Sequence, residues 1–179
     1  MKLETPIQPE FSRTIAADGI GSPVQHREIE ADPAERAALA RRFGLVSLDR
    51  LTAKLELRRH AGETVSLGGR VIADVVQSCV VTLAPVAAHI ETEIETSYTA
   101  AEPLARAIEL DPLHTDAPEP LNDGEIDMGE AVAQQLAIAL DPYPRAPGAE
   151  LPSEGFTGAG GETGKKRPFA VLAALKKRS

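Results

Sequence analysis

The stretch Leu51-Thr-Ala-Lys-Leu-Glu-Leu-Arg58 decides the fold class, because apolar and polar side chains alternate along its length. A period of two puts every second side chain on the same face of a β-strand, so this strand has one buried face and one solvent-exposed face. An apolar run follows from Val65 to Leu83, and the pair Gly68-Gly69 inside it predicts a bend or a bulge. The chain therefore contains at least two neighbouring strands that share a buried side.

A further strand is predicted from Ile90 to Tyr98, where the side chains alternate between two faces. Glu91, Glu93 and Glu95 lie on its solvent-exposed face. The connections between these strands are short, which favours an antiparallel meander or a partial barrel. A carboxylate site in a metal-dependent enzyme is one interpretation of the three glutamates. A solvated strand face explains the same pattern better, so the enzyme interpretation is the weakest of those that we consider.

A first helix is predicted after two short extended pieces, at residues 11–15 and 24–29. Asp32 precedes Pro33 and stands three residues before Glu35, the spacing of a capping box with proline in the first turn. We expect this helix to end near Phe43, because Gly44 can adopt the left-handed conformation that closes a helix.

A second helix completes the predicted α+β fold. Asp127-x-x-Glu130 repeats the capping-box pattern, and the apolar periodicity continues to Leu140 before Pro142 stops it. The predicted architecture is thus an antiparallel sheet with two principal helices.

Charge divides the chain into an acidic body and a basic end. The whole chain has 179 residues and a net charge of −8, but residues 151–179 contain six basic and two acidic residues, which leaves −12 for residues 1–150. We predict one domain over 1–150 with an acidic, proline-rich loop at 102–125, a flexible linker at 151–164 and a basic amphipathic tail at 165–179. An acidic body is a poor general binder of nucleic acid, because neutralising phosphates takes clustered Lys and Arg.

Composition excludes several classes of protein. Hydrophobic residues make up 42 % of the chain and aromatic residues 3 %, so we expect an aliphatic core. Cys79 is the only cysteine, so neither an internal disulfide nor a thiolate zinc site is possible. No apolar run reaches the roughly 20 residues of a membrane helix, and the first residues lack the apolar segment of a signal peptide. We expect a cytoplasmic protein with no metal, cofactor or membrane partner.

Three segments resemble those of one known family. Asp127 to Arg145, a helix with a proline-rich end, is the most specific, and Cys79-Val-Val-Thr-Leu-Ala-Pro85 resembles a strand-end motif. Pro168-Phe-Ala-Val-Leu-Ala-Ala-Leu-Lys176 resembles a closing segment. In their order and spacing the chain is similar to the YceD-like family, named for large ribosomal RNA subunit accumulation, in its alphaproteobacterial form. The resemblance implies a bacterial, non-enzymatic factor in ribosome biogenesis.

The chain departs from the family pattern where relatives have further cysteines. Many relatives carry a second cysteine at the position of Thr82, and others beyond the helix, where residues 142–149 of this chain have none. Relatives also often carry a glutamate at Gln134 and an acidic residue at Ala84. The resemblance therefore carries over no metal site.

The family motifs nominate residues for partner binding. Gln135 falls inside the apolar arc of the second helix, and an unsatisfied buried amide costs about 1–3 kcal/mol. Gln135 therefore either bonds to an exposed backbone edge of the sheet, the internal pairing that we favour, or marks a partner groove. Tyr143 either presents an aromatic surface or packs on the core. The predicted motif residues are Cys79, Leu83, Pro85, Glu130, Gln135, Leu136, Pro142, Tyr143, Pro144 and Arg145.

The tail combines positive charge with an apolar stretch at helical spacing. A helix this short is marginal in water, so it either docks on its own domain or folds on a partner. For RNA contact we predict Lys165, Lys166, Arg167, Phe169, Lys176, Lys177 and Arg178.

Two functional hypotheses follow. In the first, the protein supports accumulation or maturation of large-subunit ribosomal RNA, and the tail contacts that RNA or its precursor particle. In the second, the acidic body, and especially its loop at 102–125, is a protein-binding module that chaperones a basic ribosomal protein before large-subunit assembly, because acidic surfaces attract cationic partners.

Overall fold

The computed structural model describes residues 9–60, 64–100, 118–121 and 123–150. The chain divides into two units, residues 1–149 and 150–179. The predicted linker and tail lie outside the described residues, and so does most of the predicted acidic loop. The described elements are β1 (Thr14–Ala16), a 3-10 helix (Ala17–Gly19), β2 (Gln25–Glu30), α1 (Pro33–Phe43), β3 (Ser47–Arg59), β4 (Thr64–Ser78), β5 (Pro85–Thr99), β6 (Glu119–Pro120), β7 (Glu125–Asp127) and α2 (Met128–Ala139).

An antiparallel meander of four strands forms the main sheet. β2, β3, β4 and β5 follow one another in the sheet as they do in the chain, and each neighbouring pair is antiparallel. β6 adds two residues parallel to the end of β5, while β1 and β7 form a separate two-stranded sheet. The predicted α+β class and meander are confirmed. Among the described strands β2 and β6 are the outer ones, so the sheet is open and not a closed barrel.

The core lies on one face of this meander. The alternation in β3 leaves Leu51, Leu55 and Leu57 at most 1 % exposed. Leu39 of α1 and Leu136 of α2 are also fully buried in the same cluster. Burying a side chain of this size contributes about 1.5–3 kcal/mol to the free energy of folding. The buried face of the sheet therefore holds the helices in place.

The first helix forms as its sequence predicts. The Asp32 carboxylate accepts the backbone N–H groups of Ala34 and Glu35 at 2.7 and 2.8 Å, and the Glu35 carboxylate accepts the N–H of Asp32 at 2.8 Å. This is the complete capping box. α1 ends at Phe43, and Gly44 follows with φ 67°, as predicted.

The second helix begins at the predicted cap but uses its glutamate differently. Asp127 accepts the N–H groups of Gly129 and Glu130 at 3.0 and 3.2 Å. The Glu130 carboxylate instead receives both terminal nitrogens of Arg42, at 2.7 and 2.8 Å. This pair lowers the pKa of Glu130 and joins the end of α1 to the start of α2. α2 ends at Ala139, one residue before the predicted end.

Two strand boundaries correct the sequence interpretation. The first strand lies at Thr14–Ala16 and not at residues 11–15. The backbone N–H of Arg13 donates to the Asp127 side chain at 2.8 Å, and Phe11 is buried in the core. β4 stops at Ser78, because residues 80–82 form a turn and do not continue the apolar strand.

Gly69 allows a close strand contact, and the predicted bulge is not there. Gly68 and Gly69 each pair with one residue of β3 in an unbroken register, and the irregularity falls between Leu48 and Arg50. Gly69 has φ 150°, and a Cβ built there would lie 2.1 Å from the carbonyl oxygen of Lys54. Any side chain at this position must therefore push β3 and β4 apart.

We expect Gly69→Ala to lower the free energy of unfolding by about 2–3 kcal/mol, the cost of a strained backbone position. Gly68→Ala is the matched control, since a Cβ there would meet only the Ile94 carbonyl at an ordinary 3.7 Å. Urea unfolding followed by circular dichroism compares the two variants. Equal losses would mean that the close contact at Gly69 does not limit stability.

We expect Glu130→Gln to lower the free energy of unfolding at neutral pH by about 1 kcal/mol, because it breaks a partly buried pair. The pKa of Glu130 is below its ordinary value of 4.5, so its stabilisation is present above that value and is lost as the pH falls through the lowered pKa. The difference from wild type should therefore shrink in acid. Glu28→Gln, which breaks a fully solvated pair with Lys54 at 3.9 Å, is the control and should change stability much less.

Candidate functional site

The strand-end motif and the proline-rich segment after α2 meet beyond the ends of β4 and β5. We call residues 79–84 together with residues 141–146 the motif junction. Two hydrogen bonds join its two halves: Val80 N–H to Pro144 O at 2.9 Å and Ala146 N–H to Cys79 Sγ at 3.3 Å. A third, from Gln77 Nε2 near the end of β4 to Asp141 O at 2.9 Å, holds the proline-rich half against the sheet. Two segments that are far apart in sequence therefore form one surface.

Cys79 anchors this junction through its sulfur. The side chain is fully buried, and Sγ accepts the backbone N–H groups of Val81 and Thr82 at 3.4 Å in addition to that of Ala146. The N–H of Ala146 makes the largest contribution in lowering the pKa of Cys79 to about 6, with further help from Thr82 and Val81, while burial opposes the shift. Cys79 is thus a buried hydrogen-bond acceptor as well as a small apolar side chain.

Leu83 occupies a conformation that is unusual for a leucine. Its φ is 61°, in the left-handed region, and its N–H donates to the Cys79 carbonyl at 2.9 Å. The N–H of Cys79 in turn donates to the Ala84 carbonyl at 2.8 Å, which closes the loop. The Leu83 side chain is 77 % exposed. Strained residues of this kind concentrate at binding sites, where the surrounding structure holds them.

Tyr143 faces solvent. It is 71 % exposed, and its N–H donates to the Asp141 carboxylate at 2.9 Å, which shapes the turn. The alternative that Tyr143 packs on the core is wrong, because Pro144 is the buried residue of this segment. Val80, across the junction, is 48 % exposed. Pro85, Pro142 and Arg145 are also exposed.

The helical motif residues are engaged inside the fold, away from this surface. Leu136 is fully buried, and Glu130 is held by Arg42. The Gln135 amide donates to the Thr92 hydroxyl of β5 at 3.1 Å, so it is paired inside the fold as expected, but with a side chain and not with a backbone edge of the sheet. The structure therefore brings together the predicted residues of the two segments but leaves the three helical ones outside the junction.

The predicted RNA-binding residues lie outside the described part of the chain. They are Lys165, Lys166, Arg167, Phe169, Lys176, Lys177 and Arg178. Their assignment stays a prediction.

Two contributions to the junction are not evident from the sequence. The apolar run predicts Val80 in a strand interior, whereas it reaches solvent on the loop. Nothing in the local sequence marks the Ala146 N–H, because its acceptor lies 67 residues away.

The fold and the junction define an α+β protein whose two sequence motifs meet beyond one end of an open antiparallel sheet. The family model described as large ribosomal RNA subunit accumulation protein YceD matches residues 67–176. The match covers more than half of the chain, so the chain belongs to this family. No curated protein and no solved structure matches it. The family description supports a role in ribosome biogenesis, while the alphaproteobacterial form stays a prediction.

The described residues contain neither a metal-binding cluster nor a membrane-spanning helix. No three His, Cys, Asp or Glu side chains lie close enough together there to hold a metal ion. No described helix has the length and apolar character needed to cross a membrane.

We expect the Cys79 thiolate to form near pH 6 in the folded protein but to react slowly with iodoacetamide, because the sulfur is buried. Since the pKa of Cys79 is lowered on folding, its contribution to stability should be absent below about pH 6 and should grow towards the pKa of the unfolded thiol. Thiolate absorbance against pH, and unfolding of wild type and Cys79→Ala at several pH values, measure both effects. Fast alkylation of the native protein would contradict the buried geometry.

Proposed function

We propose that the protein is a non-enzymatic, cytoplasmic factor that supports accumulation or maturation of the large-subunit (23S) ribosomal RNA. Membership of the family carries the link to ribosomal RNA. The motif junction supports a role in recognition, because its buried Cys79 and Pro144 fix the backbone while Val80, Leu83 and Tyr143 face solvent. The proposed partner is the ribosomal RNA or its precursor particle.

RNA contact is best assigned to the basic tail, since the sheet offers a poor surface for phosphates. The solvent face of the meander mixes Lys54, Arg58 and Arg70 with carboxylates, and its cations are partly neutralised by Glu28 and Glu91. No aromatic side chain lies on that face within the described strands, so it lacks the stacking platform of single-strand RNA binders. The tail supplies the positive charge that the body lacks.

A specific observation favours the second hypothesis, an acidic module for a basic ribosomal protein. Glu91, Glu93 and Glu95 project from one face of β5 and are exposed. Glu93 and Glu95 form no ion pair with any described residue. Exposed carboxylates without a described cation, as at Glu93 and Glu95, attract a cationic protein segment.

Ultraviolet cross-linking of the tagged protein in its own cells tests the first hypothesis. We expect large-subunit ribosomal RNA to be enriched over an untagged control, and the enrichment to disappear in a chain truncated after Gly164. A variant with Lys176→Gln, Lys177→Gln and Arg178→Gln keeps the apolar stretch and separates charge from truncation.

The opposite pattern would favour the second hypothesis. If no ribosomal RNA is recovered, and replacing Glu91, Glu93 and Glu95 by Gln abolishes capture of a basic ribosomal protein that the truncated chain still captures, direct RNA contact by the tail is wrong. If the variant with Gln at positions 91, 93 and 95 loses RNA recovery while the chain truncated after Gly164 keeps it, the RNA contact lies on the body.

A further inference from the structure

Within the part of the chain that the structure describes, β5 has an unpaired edge along most of its length. Hydrogen-bonded and non-hydrogen-bonded residue pairs alternate along an antiparallel ladder. His60 and Thr64 form a hydrogen-bonded pair, since the N–H of His60 donates to the Thr64 carbonyl. The even-numbered residues of β3 and β4 are in step with this pair and therefore bond to each other. In an antiparallel sheet each residue directs its N–H and C=O to the same neighbour. The odd residues of β4 therefore bond to β5, whose even residues face β4. The odd residues of β5, from Ala87 to Glu95, direct their backbone groups outwards.

The contact at the far end of β5 agrees with this assignment. The N–H of Leu121 donates to the carbonyl of Thr99, an odd residue. β6 pairs only with Tyr98 and Thr99. Between Ala87 and Glu95 the one bond to an outward carbonyl from a described residue is that of the Thr92 hydroxyl to Glu93, at 3.3 Å.

The opposite edge of the sheet is better protected. The same parity turns His26, Glu28 and Glu30 of β2 outwards. The carbonyl of His26 accepts from Arg27 at 2.9 Å, and that of Glu30 accepts from Arg13 at 3.2 Å. Edge carbonyls that already accept hydrogen bonds from arginine side chains are less available to an added strand. Between Ala87 and Glu95, β5 has no such arginine bond from a described residue.

Side chains on the two faces of β5 indicate what would fit beside it. The solvent face carries the exposed row Glu91, Glu93 and Glu95. On the other face Ala88 and Ile90 are only partly buried, although they pack on the core. α2 contacts this face through Gln135 and Thr92, and Ile138, three residues further along the helix, is 79 % exposed. A strand laid along the edge would meet carboxylates on one side and apolar groups on the other.

We propose that the β5 edge from Ala87 to Glu95 binds an extended segment of a partner protein as an additional strand. Because strand side chains alternate between faces, the bound segment alternates Lys or Arg with apolar residues. Main-chain bonds to the odd residues supply affinity, and the carboxylates select the positive charge. An RNA strand fits poorly, since the same carboxylates would repel its phosphates. The proposal rests on the second hypothesis above and names the form in which the basic partner is bound.

Binding of a peptide to the purified full-length protein tests this site. The probe is a fluorescent peptide of about nine residues that alternates Lys and Val, long enough to span the edge at about 3.4 Å per residue. The matched control has the same sequence with alternate backbone nitrogens methylated on the side that would meet β5. We expect the control to bind at least about tenfold more weakly, because several main-chain hydrogen bonds are lost.

Protein variants place the peptide on β5. Glu93→Pro removes an outward N–H, which an edge strand tolerates, and should abolish binding without a large change in melting temperature. Glu93→Gln removes the same charge but keeps the edge, so it should weaken binding only moderately. If Glu93→Pro does not fold, the methylated peptide still decides the question.

Amide hydrogen exchange gives a residue-level outcome. The amides of Ala87, His89, Glu91, Glu93 and Glu95 should exchange quickly in the free protein and slowly with peptide. Equal affinity for both peptides would overturn the proposal in favour of charge attraction alone. Slow exchange without peptide would also overturn it, because a second copy or another part of the chain would then occupy the edge. Peptide binding and the ribosomal RNA cross-link are independent measurements, so either can fail alone.

Discussion

The fold depends on burying one face of the β3–β4–β5 meander. Alternation puts Leu51, Leu55 and Leu57 on that face, and a slip of one residue in register would turn all of them into water. Gly69 permits the close approach of β3 and β4 that this register needs. The helices follow from the same constraint, since each has an apolar side that only this face can cover. Gly129 repeats the principle, because a Cβ there would lie 2.5 Å from the Phe11 carbonyl oxygen.

Polar contacts then determine how the remaining segments join the core. Asp127 caps α2 and also receives the N–H of Arg13, so the start of the described chain and the second helix share one carboxylate. Arg42 links the two helices through Glu130. The Cys79 sulfur joins the two halves of the motif junction by accepting the N–H of Ala146. In each case a single side chain satisfies backbone or charged groups that would otherwise be costly to bury.

The division of labour between the two strand faces has functional consequences. Apolar residues of the meander are used for stability, which leaves its other face to charged side chains with an excess of carboxylates. An acidic, open sheet suits contact with a cationic protein, whereas the positive charge needed for RNA is concentrated in residues 165–179. Family membership links the chain to large-subunit ribosomal RNA. A factor that meets both protein and RNA during assembly would use these regions separately.

Local patterns in the sequence were enough to determine the main strands, the N-cap residue of each helix and the α+β class, because alternation and capping involve residues within a few positions of one another. They did not give the bounds of β1 or the end of β4. The strand-end and proline-rich motifs could also be recognised from their spacing. Only the tertiary structure decided that these two motifs meet, that Tyr143 faces solvent while Pro144 is buried, and that Glu130 pairs with Arg42. Those outcomes depend on partners 64 to 88 residues apart in the chain, and no local pattern reports which distant group will complete a hydrogen bond.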